Sequence, residues 1–180
     1  MPEYTSISAV LATTLREYLS ASKLALEFRK PPDWGSEAGH CLGFSTALLL
    51  FCVADAIGSY HRGSSTVFPV DGKMRLIDGS DFRHFFVLNG PEYYGQTLGH
   101  TQIKDLYDDY RSLLAHNATL AIGRAIIVDP SDAQVFPIQD NHLMVNLLAF
   151  HNRSIAAVEN FLGKGVAESS RVAKNLTQKS

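Results

Sequence analysis

The chain has 180 residues, 46% hydrophobic and 19% charged, and its 16 Lys and Arg against 18 Asp and Glu leave a formal charge of −2. That length fits one domain and buries about 70% of the surface the unfolded chain exposes, enough for a core without metal or disulfides; disorder and a disulfide scaffold are excluded. Divided at residue 90, each half carries 8 basic and 9 acidic residues, so no basic arm or acidic tail announces a nucleic-acid or protein partner.

Over residues 5–28, Ile7, Val10, Leu11, Leu15, Tyr18, Leu19 and Leu24 recur at steps of three and four, which predicts an amphipathic helix stopped by Pro31 and Pro32. A loop through Asp33, Trp34 and Gly35 leads to a second helix, residues 36–60, apolar on nearly all sides and therefore central. Gly58, Ser59 and Gly63 mark its fraying end. Its apolar stretch, residues 41–57, is broken by Ser45, Thr46 and Asp55 and falls short of the ~20 residues of a membrane helix. Residues 61–80 read as a loop with extended pieces near Val67 and at residues 74–77. A short third helix over residues 81–88 is capped by Ser80 and ended by Asn89, Gly90 and Pro91.

The fourth helix spans residues 101–116, with Ile103, Leu106, Tyr107, Tyr110, Leu113 and Leu114 as its apolar stripe. Residues 119–128 and 134–138, joined by the turn Asp129-Pro130-Ser131-Asp132, read as a β-hairpin. Asp140 or Asn141 then caps a last long helix that buries Leu143, Leu147, Phe150, Ile155, Val158 and Leu162. Gly163 and Gly165 end it, and residues 163–180 form a frayed, basic tail. The expected architecture is mainly α: a single domain of about five helices in a bundle, with a small β-hairpin or irregular excursion before the last long helix.

Cys41 and Cys52, 11 positions apart in the second helix, sit about 16 Å apart along its axis, too far to bridge. Reduced thiols suit a cytoplasmic protein. The opening Met1-Pro2-Glu3-Tyr4 has no basic region ahead of an apolar block, which speaks against a secretory signal.

Chemistry concentrates in Tyr110-Arg111-Ser112-Leu113-Leu114-Ala115-His116-Asn117, where an arginine and a histidine lie five apart at the end of a helix. With Leu106 and Tyr107 ahead of it, and the run Ala54-Asp55-Ala56-Ile57-Gly58-Ser59 earlier, this segment resembles the HEPN superfamily (higher eukaryotes and prokaryotes nucleotide-binding). The resemblance covers about a third of the chain. It implies a metal-independent RNA endonuclease, active as a homodimer whose motif helices face each other across one cleft. Arg111 would then steady the charge on the phosphate and His116 would move protons, supported by Tyr110, Ser112 and Asn117. Ser112 stands where the family often has Asn or Asp.

On an ideal helix, positions five apart differ by about 140°, so Arg111 and His116 meet only across a dimer or where the helix loosens. Read without the family, Arg111 is a partner of Asp108, His116 bonds a free carbonyl at the helix end, and the protein is a non-catalytic helical binding or dimerisation module. Asp55, inside an apolar helix, needs a hydroxyl, tyrosine or arginine beside it. Glu37-x-x-His40 has diiron spacing but no second such pair. His84, His100, His142 and His151 lack helical pairing with acids. No metal, cofactor or membrane is expected; RNA or a nucleotide is the expected ligand.

Overall fold

The computed structural model describes residues 6–131 and 133–165. The chain is mostly helical, with two small sheets. Helix α1 runs Ile7–Glu27, with the Ser6 hydroxyl accepting from the Ala9 N–H at 3.1 Å as its N-cap, which satisfies one of the orphan donors of the first turn. It packs on α2 and α5 through Leu11, Leu15, Leu19, Ser22 and Leu26. Ser22 can be buried because its hydroxyl donates to the Leu19 carbonyl at 2.8 Å. The expected stripe members Val10 and Leu24 face outwards instead.

Helix α2 begins at Gly43 and ends at His61, seven residues later than expected. The intervening chain forms a 3-10 turn, Pro32–Glu37, and folds back on itself. Gly35 and Gly39 take positive φ (59° and 79°), a conformation that interrupts a right-handed helix. Cys41 therefore lies ahead of α2, and the two cysteines do not share a helix; both are free thiols. At 19 residues α2 is long and apolar enough to cross a membrane by length and composition; here it is the central helix, packed against α1, α5 and the segment 82–89. Gly58 lies inside it and does not mark a frayed end.

Residues 61–80, read as a loop, contain an antiparallel hairpin of β1 (Val67–Val70) and β2 (Lys73–Leu76). Its two-residue turn places Asp71 and Gly72 at φ 52° and 69°, the geometry that matches the twist of paired strands. The third expected helix is a 3-10 segment, Phe82–Asn89, capped by Asp81 rather than Ser80: its carboxylate accepts from the Arg83 N–H at 3.1 Å.

The motif helix is continuous but not uniform. It comprises α3 (His100–Asp105), a π-helical stretch (Leu106–Ser112) and α4 (Leu113–Asn117). Beyond it, the expected hairpin does not form. Strand β3 (Ala125–Ile127) pairs in parallel with β5 (His142–Asn146), and β4 (Ile138–Gln139) pairs antiparallel with the other edge of β5, giving the order β3-β5-β4. Asp140 and Asn141, the expected helix caps, have φ of 50° and 63° and make the two-residue β4–β5 turn. Leu143 to Asn146 are then buried on both faces as a central strand, and α5 begins only at Leu147, running to Gly163. Leu143 thus belongs to β5, and Ile155 on α5 is exposed. The expected tail beyond residue 165 and the turn residue Asp132 lie outside the described residues.

The core gathers round Phe51 of α2. Its ring centre lies 5.5 Å from Phe85, 6.4 Å from Phe136, 5.1 Å from Phe150 and 6.0 Å from Tyr110. Each such pair adds about 0.5–1.5 kcal/mol beyond area burial, so this one residue joins α2, the 3-10 segment, the motif helix and α5.

Candidate functional site

Tyr110 and Arg111 occupy the π-helical stretch, where the i→i+5 pattern widens the helix; π turns of this kind recur at functional positions. Tyr110 is fully buried. Its hydroxyl donates to the Leu143 carbonyl at 2.6 Å and lies 3.2 Å from the Ala125 carbonyl and 3.3 Å from the Ala125 N–H. It anchors the motif helix to β3 and β5, and its burial pushes the phenol up to about 12.

Arg111 turns towards α2. Its Nη2 donates to Asp55 Oδ2 at 2.7 Å, and its guanidinium lies 5.5 Å from the centre of the Tyr107 ring, within cation–π range. The other carboxylate oxygen, Asp55 Oδ1, lies 2.9 Å from His84 Nδ1. One carboxylate from α2 thus bridges a guanidinium on the motif helix and an imidazole on the 3-10 segment. Arg111 is paired with Asp55, not with Asp108 as expected when the segment is read without the family. Asp108 is engaged by Lys104, while Asp105 and Asp109 hold Arg124 at 2.9 and 2.5 Å.

The close approach behind this bridge has a local cause. Gly58 sits one turn after Asp55 on the same face of α2, and a Cβ there would lie 2.0 Å from the His84 carbonyl oxygen. Only glycine lets the 3-10 backbone come this near. Burial raises the Asp55 pKa most strongly, but the His84 hydrogen bond and the Arg111 charge and hydrogen bond together outweigh it and hold the carboxyl below its ordinary value. Burial pushes the neighbouring Cys52 thiol up, against the pull of Arg111, so it is held as a thiol. Two buried nitrogens of the network, Arg111 Nε and His84 Nε2, have no hydrogen-bond partner among the described residues.

His116 and Asn117 are exposed at the end of α4, and Ser112 is half-buried. Ala118, at φ 52°, closes the helix with its N–H donating to the Leu113 carbonyl. Among the described residues, no hydrogen bond joins Arg111 to His116 and the His116 ring bonds no carbonyl: the arginine faces α2 and the imidazole faces solvent. Sequence reasoning reached Asp55's need for a partner but missed His84, which stands 29 positions away. A glycine one helical turn after an acid in an apolar helix was the available signal.

Glu37 and His40 approach to 3.9 Å, but among the described residues no group of three His, Cys, Asp or Glu is placed to hold a metal ion. No family model, no curated protein and no solved structure matches the chain.

Proposed function

We propose that the protein is a HEPN-like, metal-independent RNA endonuclease acting in the cytoplasm as a homodimer across its motif helices. The observation that carries this reading is the state of Arg111. It is 24% exposed and steadied through one nitrogen by a part-buried carboxylate, on a widened helix that ends in an exposed imidazole. A guanidinium held in this way keeps donors for a phosphate and gives up little freedom on binding.

In the reaction, the ribose 2′-hydroxyl attacks the adjacent phosphorus, the bond to the 5′-oxygen breaks, and a 2′,3′-cyclic phosphate and a 5′-hydroxyl result. His116 takes the 2′-hydroxyl proton or supplies one to the leaving oxygen, and Arg111 stabilises the charge on the five-coordinate phosphorus. Two protomers are needed because Arg111 and His116 point apart within one. Asp55 positions Arg111 and touches no reacting atom.

The test is cleavage of structured RNA in EDTA. Arg111→Ala and His116→Ala are each expected to lose about 100-fold or more of the wild-type rate, with far-ultraviolet circular dichroism unchanged for His116→Ala. Equal rates in all three proteins, or no cleavage by any, overturn the catalytic reading. The outcome then favours a non-catalytic helical binding or dimerisation module, in which the Asp55–Arg111 pair ties α2 to the motif helix. The specific observation behind that second reading is that Asp55 already neutralises Arg111.

A further inference from the structure

The end of α1, the loop after it, the first turn of α2 and β3 enclose an open cleft of about 940 Å3 that shares no residue with the Arg111 network. Its volume lies in the range of small-ligand sites. The loop wall is built in advance of any ligand. The Lys30 N–H donates to the His40 carbonyl at 3.0 Å and the Gly39 N–H to the Lys30 carbonyl at 2.9 Å, which ties the two ends of the loop together.

Inside the loop, Lys30 Nζ donates to Glu37 Oε2 at 2.7 Å and lies 5.7 Å from the centre of the Trp34 ring. The ammonium thus steadies the indole and cancels the one acid of the lining. Trp34 nevertheless remains 49% exposed, and Phe44, from the start of α2, is 53% exposed. Both rings line the same cleft over an apolar floor that includes Leu26, Ile126 and Leu147.

Arg29 supplies the charge. Its Nη1 donates to the Leu26 and Phe28 carbonyls at 2.8 and 3.0 Å, and among the described residues it meets no carboxylate. The Nε–Nη2 edge remains, a two-donor fork that matches the two oxygens of a carboxylate. We infer that this cleft binds a small aromatic carboxylate, its ring against Trp34 and its anionic head on the free edge of Arg29.

Trp34 is the chain's single tryptophan, so the 15N-labelled protein gives one indole N–H resonance from inside the site. Titration with 2-naphthoate is expected to shift that resonance saturably, with a Kd below about 1 mM. The same ring bearing the opposite charge, 2-naphthylmethylamine, is expected to bind about tenfold or more weakly, and Arg29→Gln to weaken naphthoate by about tenfold. Absence of a shift at about 5 mM naphthoate, well above the expected Kd, overturns the assignment. So does equal binding of the amine. Should Arg29→Gln not fold, the comparison of the two probes on the unaltered protein decides alone.

Discussion

His61 illustrates how a single buried side chain couples this fold to acid. Its ring is 2% exposed, its Nε2 lies 2.7 Å from the Tyr93 hydroxyl, and its Nδ1 is buried without a partner among the described residues. Burial first, and the Lys164 charge second, lower its pKa from 6.5 to about 4. Between those values the unfolded chain binds a proton that the folded chain refuses, so stability falls as pH drops through that window. Taken over the whole interval the loss approaches about 3 kcal/mol. His61→Gln, which can still bond Tyr93, is expected to flatten the fall in urea midpoint between about pH 7 and pH 4.5; an unchanged fall would assign the acid sensitivity to other groups. Asp55 acts lower on the scale. Its carboxyl is held below 3.8 in the folded state, so its contribution is full above that value and disappears as pH drops through the depressed one.

At the scale of elements, α2 and the 3-10 segment Phe82–Asn89 meet at Gly58. Gly58→Ala gains about 1 kcal/mol of helix propensity, but the new methyl would press on backbone atoms of His84, at 2.0 Å from O and 2.7 Å from C. Overpacking of this kind costs typically 1–3 kcal/mol and sometimes more, and here no side chain can rotate away. A net destabilisation of about 2 kcal/mol, read by chemical denaturation, is the expected outcome; a stabilised variant would show that the segment yields freely. The same contact explains what could be read from the sequence. Periodicity located α1, the motif helix and most of α5, because burial of one face imposes a period of 3.6, and an apolar run with no polar face located most of α2. It missed the 3-10 and π geometries, which depend on what the helix touches, and it misread Gly58 because a glycine that ends a helix and one that admits a neighbour look alike. The sheet failed for another reason: Asp140-Asn141 suits a helix cap and a tight turn equally, and pairing between residues 125–127 and 144–146 is set at long range. Of the site, Arg111 and His116 were legible as a motif. The Asp55–His84 contact was not, since nothing local joins positions 29 apart.

For the whole molecule, the near balance of 16 basic and 18 acidic residues limits how RNA can be held. Under the proposed reading, an RNA-cleaving dimer with so even a balance would rely on Arg111 doubled across the axis. Two phosphate contacts per dimer correspond to a slope of log affinity against log salt near −1.4 for a single strand, far shallower than that of a basic RNA-binding surface. Light scattering is expected to give a dimer and fluorescence anisotropy that slope; a monomer, or a steep slope, contradicts the arrangement. The Asp55 bridge also sets how often the motif helix can part from α2. Separation would take the Arg111 charge from a largely buried carboxylate and leave it the His84 hydrogen bond alone, so the closed arrangement is favoured. A ligand that needs Arg111 released from Asp55 would therefore bind with its affinity reduced by the cost of that release, whereas one that accepts the guanidinium where Asp55 holds it meets a site already set.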